Sequence, residues 1–182
     1  MPRVSQEQAR LNRRRVVAVA AELFRERGLH GVGVADIMAS AGLTHGGFYG
    51  QFASKDALAV EAFDCALAQH HRGDLETLVS AYLADAHVAA PGKGCPIAAL
   101  VNDVSREAPD SPVRERLTQG VRRFADLIGS LLPKASAERR RRRALASLST
   151  MVGALVLARA VNDAALRAAL LEAARSALAP PR

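Results

Sequence analysis

The sequence predicts an all-α protein of about nine helices. Hydrophobic residues make up 49% of the 182 residues while aromatic residues make up only 4%, so alanine, leucine and valine must build most of the core. Alanine and leucine favour helices. Apolar residues also recur at spacings of three and four, which places them on one helix face, with little of the alternation that strands show.

The sequence lacks the features of a secreted or membrane-spanning chain. We find no apolar signal-peptide core, and no apolar run of the roughly 18 residues that a membrane helix needs. The two cysteines, Cys65 and Cys95, are too few for a disulfide framework and do not have a zinc-binding spacing. We therefore expect a cytoplasmic protein without a metal or a cofactor.

Four helices are predicted in the first third of the chain. Gly28 and Gly42 each follow an apolar periodic stretch and suit the left-handed conformation that ends a helix. Thr44 and Ser54 suit the N-cap position of the helix that follows each of them. The predicted ranges are 8–27, 34–41, 45–52 and 55–71.

Five further helices are predicted in the rest of the chain. The Pro-Gly-Lys-Gly stretch at 91–94 is a loop by composition. Pro96 and Pro112 suit the first turn of a helix, and Ser136 suits an N-cap. The predicted ranges are 74–90, 96–106, 112–132, 137–161 and 163–178.

The short helices predicted at 34–41 and 45–52 are joined by a turn at 41–43, which is typical of a helix-turn-helix. In that motif the first helix crosses the DNA backbone and the second reaches the base edges. The glycines at 46, 47 and 50 would allow a close approach to DNA, although each lowers helix stability by ~1 kcal/mol relative to alanine. A three-helix packing unit without a ligand is the alternative.

Charge supports the same interpretation. The formal net charge is +7. Residues 1–55 contain eight basic and four acidic residues, whereas the remaining 127 residues contain 17 and 14. The N-terminal third is therefore the more basic part per residue, which fits a polyanionic partner.

Several motifs in the first 60 residues share their spacings with one known family. They are Ala20-Ala21-x-Leu23-Phe24-x-x-x-Gly28, Val34-x-Asp36-Ile37-x-x-x-Ala41-Gly42-Leu43-Thr44 and Gly46-x-x-Tyr49-x-x-Phe52-x-Ser54-Lys55-x-x-Leu58. Over about residues 10–60 the sequence closely resembles the TetR/AcrR family of bacterial transcription regulators. The resemblance is specific because many fixed spacings agree at once.

The resemblance implies a homodimeric repressor that binds double-stranded operator DNA and releases it when a small molecule binds. The DNA-binding domain would cover residues 10–70, including a connector helix at 55–71. A ligand-binding and dimerisation domain would cover residues 71–182. Two alternatives stay open: a transcriptional activator, and a repressor that senses oxidants or electrophiles through a thiol.

The resemblance also implies a set of DNA contacts at the turn and at the start of the third predicted helix. Carried over by position, they are Thr44, His45, Gly46, Gly47, Tyr49 and Lys55, together with the backbone of Gly33. The basic N-terminal segment would add phosphate or minor-groove contacts. Its arginines are Arg3, Arg10, Arg13, Arg14 and Arg15, and Arg14 is the contact that we select. Each of these residues also has a plain explanation: a cap, a solvated side chain, a packed ring or an ordinary surface charge.

The sequence departs from the family pattern at four positions. Val32 and Gly33 stand where hydroxyl residues are common, so a phosphate contact there would need a bare backbone N–H. Leu29 replaces a common aromatic residue, and Gly50 replaces a larger polar or aromatic residue. Fewer side-chain contacts would shift recognition towards DNA shape and backbone.

Six apolar residues are candidates for a ligand pocket, although plain core is the expected role of any single one of them. They are Phe63, Leu67, Leu100, Val104, Phe124 and Leu127. Cys95 precedes Pro96 at a predicted helix N-terminus, where the helix dipole favours a reactive thiolate. It is therefore a possible redox residue, whereas Cys65 is expected to be a buried core residue.

The last two predicted helices, 137–161 and 163–178, should form the dimer interface. The residues expected there are Leu148, Met151, Val152, Leu155, Leu166, Leu170 and Ala173. We expect the arginine run at 139–143 to be a solvated helix start, and His70 and His71 to be surface residues rather than metal ligands. The sequence contains no paired carboxylates, nucleophile with a base or phosphate loop, so we expect no enzyme activity.

Overall fold

The computed structural model describes residues 6–68 and 73–179, and within these ranges the chain forms nine α-helices and no strand. The predicted all-α fold is confirmed. The helices are α1 (Gln6–Arg27), α2 (Val34–Ser40), α3 (Lys55–Leu67), α4 (Leu75–Tyr82), α5 (Asp85–Ala89), α6 (Pro96–Val104), α7 (Pro112–Leu131), α8 (Ala137–Ala160) and α9 (Ala164–Leu178). Two 3-10 turns, His45–Gly47 and Pro91–Lys93, connect them.

The prediction of an α-helix at 45–52 is wrong. The N–H of Gly47 donates to the Thr44 carbonyl at 3.0 Å, and the N–H of Phe48 donates to the His45 carbonyl at 3.1 Å. These are the bonds of a 3-10 turn. Glycines at 46, 47 and 50 weaken a longer helix, and the Thr44 side chain makes no capping hydrogen bond.

The single helix predicted at 74–90 is also wrong, because it divides into α4 and α5. Asp74 caps α4 by accepting a hydrogen bond from the N–H of Thr77 at 2.8 Å. The carbonyl of Tyr82, at the end of α4, lies 2.6 Å from Nδ1 of His87. This side-chain contact satisfies a carbonyl at the helix end and stabilises the break.

Two hydrophobic clusters hold the helices together. The first joins α1, α2 and α3 around Phe24, Ile37 and Phe63, and it includes Leu100 of α6 and Val113 of α7. The second lies among α4, α6, α7, α8 and α9. The N-terminal helices are therefore anchored to the rest of the chain through α6 and α7. The predicted domain boundary at residues 70 and 71 lies outside the described residues.

Among the described helices, α8 is the only one long and apolar enough to cross a membrane, judged by length and composition. It packs against α7 and α9. Met151 and Leu155 on its inner face are completely buried. Its inner face is therefore part of the core, while 39% of its apolar stretch is buried within the chain.

Candidate nucleic-acid interface and ligand cavity

The turn after α2 depends on Gly42. Its φ is +69°, in the left-handed region that the sequence predicts for this position. The N–H of Gly42 donates to the Ala39 carbonyl, and the N–H of Leu43 donates to the Met38 carbonyl, both at 2.9 Å. These bonds close the end of α2 and direct the chain into residues 44–50, which we call the reading segment.

The reading segment exposes its polar residues and is anchored by two phenylalanines. Thr44, His45 and Tyr49 are exposed, and Tyr49 retains 69% of its accessible surface. Phe48 and Phe52, in contrast, are 1% and 3% exposed. Their rings stack at 5.4 Å, and the Tyr49 ring meets Phe48 edge-on at 5.3 Å. The buried rings therefore hold a glycine-rich surface segment in place.

The glycines of the reading segment leave space at the surface. A side chain added at Gly46 would meet no other atom within 4 Å, whereas one at Gly47 would lie 3.6 Å from Met38. Gly46 therefore allows a flat partner to approach the backbone, and Gly47 packs against α2.

Arg13 braces the reading segment from α1, a role that sequence reasoning missed. Its guanidinium donates to the Gln51 carbonyl and pairs with Glu61 of α3. It also lies 4.2 Å from the centre of the Phe52 ring. Arg15 contributes a longer contact, 3.5 Å, to the Ala41 carbonyl. These two arginines are therefore engaged within the protein.

The basic N-terminal segment, which we expected to be an arm before the first helix, is also corrected. Arg10, Arg13, Arg14 and Arg15 all lie within α1 rather than in a tail before it. Arg14 is exposed. Arg3 lies outside the described residues.

Lys55 and Gly33 lie on either side of the reading segment in sequence. Lys55 is the first residue of α3, and its ammonium lies 5.9 Å from the centre of the Phe24 ring. Ser54 caps the same helix as predicted, accepting a hydrogen bond from the N–H of Ala57 at 3.0 Å. The N–H of Gly33 donates to Asp36 at 3.1 Å. A phosphate at Gly33 would therefore have to replace the Asp36 carboxylate.

A cavity of about 530 Å³ lies between α3, α4, α7 and the loop before α6. Of the six candidate pocket residues, Leu67, Phe124 and Leu127 line it. Phe63, Leu100 and Val104 do not, and they are 1–3% exposed within the first hydrophobic cluster. Whether the lining residues contact a ligand stays a prediction.

Sequence reasoning missed two polar residues of this cavity, Tyr82 and His87. A carbonyl can only accept and a backbone N–H can only donate. Nδ1 of His87 therefore donates to the Tyr82 carbonyl at 2.6 Å, and Nε2 accepts from the N–H of Cys95 at 2.9 Å. Burial lowers the pKa of His87, which favours this neutral form.

The two cysteines have different surroundings. Cys95 is half-buried at the N-cap position of α6 and lines the cavity. Cys65 is exposed on α3, so the expectation that it is a buried core residue is wrong.

The loop at 90–95 connects the cavity to α1. Nε of Arg25, a buried residue of α1, donates to the Gly92 carbonyl at 2.7 Å. A side chain on Gly92 would lie 2.7 Å from Glu26. Lys93 and Cys95 of the same loop line the cavity. The loop therefore contacts both the cavity and α1.

The outer face of α8 and α9 is rich in exposed apolar residues. Leu145, Leu157 and Leu166 retain 39%, 51% and 48% of their accessible surface. A side chain added at Gly153 would meet nothing within 4 Å. Ala173 is exposed, while Val152 and Leu170 are half-buried.

Three residues expected at the dimer interface point elsewhere. Leu148, Met151 and Leu155 are 0–7% exposed in the second hydrophobic cluster. They pack within the protomer. The sequence prediction failed here because α8 has apolar residues on two opposite faces, and the sequence does not show which face meets a partner.

The remaining charged and metal-binding candidates are on the surface or outside the described residues. The arginine run at 139–143 is exposed, and Ser136 accepts a hydrogen bond from the N–H of Arg139 at 3.3 Å. His70 and His71 lie outside the described residues. In the part of the chain that the structure describes, no three His, Cys, Asp or Glu residues are grouped as a metal site.

Comparisons with protein families, with individual proteins and with solved structures all indicate one family. A family described as "Bacterial regulatory proteins, tetR family" matches residues 16–62. The HTH-type transcriptional regulator Rv0196 of Mycobacterium tuberculosis is 32% identical over 170 residues, covering 83% of this chain and 86% of that protein.

Two crystal structures share the fold. A TetR transcriptional regulator from Chloroflexus aurantiacus is 30% identical, with a TM-score of 0.68 and coverage of 95% of this chain and 94% of that one. The reduced form of E. coli NemR is 20% identical, with a TM-score of 0.70 and coverage of 92% and 94%. The chain belongs to the TetR family of bacterial transcription regulators, whose members bind operator DNA and typically form homodimers with small-molecule effectors.

Proposed function

We propose that this protein is a cytoplasmic, ligand-responsive repressor. Residues 10–70 bind operator DNA, and residues 71–182 bind the effector and form the homodimer. The observation that carries the proposal is the reading segment, where exposed Thr44, His45 and Tyr49 lie beside the buried anchors Phe48 and Phe52. The TetR family is not an enzyme family, and we propose no catalytic role.

DNA recognition depends on the few exposed side chains of the reading segment and on its exposed protein backbone. His45, Tyr49 and the open backbone at Gly46 enter the major groove or meet its phosphates. Lys55 and Arg14 add phosphate contacts at the edges of this surface. Because few side chains can reach base edges, much of the specificity comes from DNA shape.

The homodimer forms through the outer face of α8 and α9. Exposed Leu157 and Leu166 supply apolar area, and Gly153 allows a close approach between helices. Exposed apolar patches of this kind mark protein interfaces. Two reading segments must reach major-groove faces one turn apart, about 34–36 Å, which requires two copies.

Effector binding changes the spacing of the two reading segments. The path runs from the cavity through Cys95 and Gly92 to Arg25 on α1. The connector α3 supplies a second path, because it lines the cavity and packs against α1. A coupling of a few kcal/mol between the two sites is enough to release an operator.

Binding to DNA across a salt series tests the proposed function. Fluorescence anisotropy with a duplex from upstream of the protein's own gene should give an affinity that falls steeply as salt rises. Lys55→Gln should reduce the slope of log K against log salt by about 1, because one phosphate contact is lost.

Arg141→Gln is the matched control, since it also removes one cation, here an exposed one that lies far along the chain in α8. It should keep the wild-type slope. Absent or salt-insensitive binding would contradict the regulator, and equal slopes for the two variants would remove Lys55 from the DNA interface.

A second candidate function, thiol sensing, is supported by the position of Cys95 in the cavity. Alkylation of Cys95 by iodoacetamide should release DNA from the wild-type protein, because the added group occupies the cavity. Release should be lost in Cys95→Ser. It should be retained in Cys65→Ser, because the exposed Cys65 thiol that this variant lacks does not line the cavity. Release that survives in Cys95→Ser would end this candidate.

A further inference from the structure

The residues that line the cavity indicate the size, polarity and charge of a ligand that could bind there. Leu67, Leu78, Phe124 and Leu127 supply apolar surface from three helices, and the volume of about 530 Å³ lies in the range of sites for small organic molecules. The charged residues at the cavity are Asp64, Lys93 and Arg123. Oδ2 of Asp64 pairs with Arg116 at 3.4 Å, while its Oδ1 is buried without a partner among the described residues. Lys93 and Arg123 outnumber this one carboxylate, so the charge balance at the cavity disfavours a cationic ligand.

His87 offers no hydrogen bond to such a ligand. Its Nδ1 donates to the Tyr82 carbonyl, and its Nε2 accepts from the N–H of Cys95. Both ring nitrogens are therefore used within the protein. The ring instead fixes its neighbour, because it meets the Tyr82 ring edge-on at 4.8 Å.

Two side-chain groups at the cavity have unused hydrogen-bonding capacity in the described parts of the chain: Oδ1 of Asp64, which can only accept, and the Tyr82 hydroxyl, which can donate. Tyr82 is 7% exposed. His87 on one side and Phe124 on the other, at 5.7 Å, hold the ring in place. Buried polar groups in native proteins are nearly always hydrogen-bonded. The neighbouring Cys95 sulfur is a weak acceptor, so a ligand oxygen would satisfy this hydroxyl better.

We propose that the cavity binds an apolar, non-cationic organic molecule that carries a hydrogen-bond-accepting oxygen, and that the Tyr82 hydroxyl donates to this oxygen. Burial raises the pKa of Tyr82, with the neighbouring Cys95 thiol as a smaller cause. The hydroxyl therefore keeps its proton and acts as a donor. This inference rests on the proposed function, of which it names the effector class.

Two matched ligand pairs test the proposal: 9-fluorenone against fluorene, and acetophenone against ethylbenzene. Each pair shares its apolar framework and differs by the ketone oxygen, and neither ketone alkylates thiols by conjugate addition. Binding is measured by ligand-observed NMR on the full-length protein. The ratio of ketone to hydrocarbon affinity should fall about fivefold to tenfold in Tyr82→Phe, as expected for one lost hydrogen bond.

Three controls keep the result specific. Thermal unfolding checks that Tyr82→Phe is folded. Tyr49→Phe removes the other tyrosine hydroxyl of the chain, which lies in the reading segment, and should keep the wild-type ratio. Cys95→Ala, which alters the cavity wall, tests the alternative that the thiol is the donor, because the ratio would then fall in this variant and not in Tyr82→Phe.

An unchanged ratio in Tyr82→Phe would overturn the proposal, as would a ratio that falls only in Cys95→Ala. Failure of the wild-type protein to bind any of the four compounds up to their solubility would overturn it as well. DNA binding by the wild-type protein is measured separately. The proposed repressor function and this ligand chemistry can therefore fail independently.

Discussion

Replacing Leu157 by glutamate is expected to convert the homodimer into monomers and to weaken operator binding at least about hundredfold. Leu157 is 51% exposed on the outer face of α8, so the change does not disturb the protomer core. A buried carboxylate at the interface would lack a partner. A monomer then loses the avidity that joins two reading segments, which is worth 10²- to 10⁴-fold in linked sites, as an order-of-magnitude estimate.

Sedimentation and DNA anisotropy of the same sample measure both effects. Ser130→Glu is the matched control, because it places the same charge at an exposed position on α7. It should remain dimeric. A dimeric Leu157→Glu with wild-type DNA affinity would show that the interface lies elsewhere.

Replacing Phe48 by alanine is expected to lower the free energy of unfolding by about 3–5 kcal/mol. The side chain is 1% exposed and stacks on Phe52. Its loss leaves a cavity under the reading segment, which has only a 3-10 turn to hold its shape. Urea unfolding measures the change, and DNA affinity should fall with it.

Tyr49→Ala separates stability from recognition. Tyr49 is 69% exposed, so its removal should change the unfolding free energy by no more than about 0.5 kcal/mol. Its effect should instead appear in DNA affinity. A Phe48→Ala protein as stable as the wild type would contradict the role of Phe48 as an anchor.

Sequence alone predicted the parts of the fold that depend on local chemistry. Gly42 adopts the left-handed conformation, and Ser54 caps α3. These features follow from the residue itself and its immediate neighbours. The boundaries of α7, α8 and α9 were predicted within one or two residues for the same reason.

Sequence alone failed where distant residues decide the structure. The break between α4 and α5 is stabilised by a contact from His87 to the Tyr82 carbonyl, and Arg159 of α8, 72 positions further along the chain, donates to the His87 carbonyl. The sequence pattern suggests that Arg13 is an ordinary surface charge. In the structure it donates to the Gln51 carbonyl and forms an ion pair with Glu61. Which face of a buried helix lines a cavity depends on how helices cross, so half of the candidate pocket residues are core residues instead.

The prediction of a third helix at 45–52 failed for a different reason. Its pattern of caps and phenylalanines is helical, but its three glycines oppose a helix. The structure resolves this conflict with a 3-10 turn and tertiary anchors. A local conflict of this kind is expected at a functional site.

The central claim, that two reading segments enter adjacent stretches of major groove, is tested most directly by protection of guanine N7 from methylation by dimethyl sulfate. N7 faces the major groove. On a duplex that the wild-type protein selects from a random library, we expect two protected clusters whose centres lie about 34–36 Å apart. Full reactivity of every guanine N7 on a saturated duplex would contradict the account.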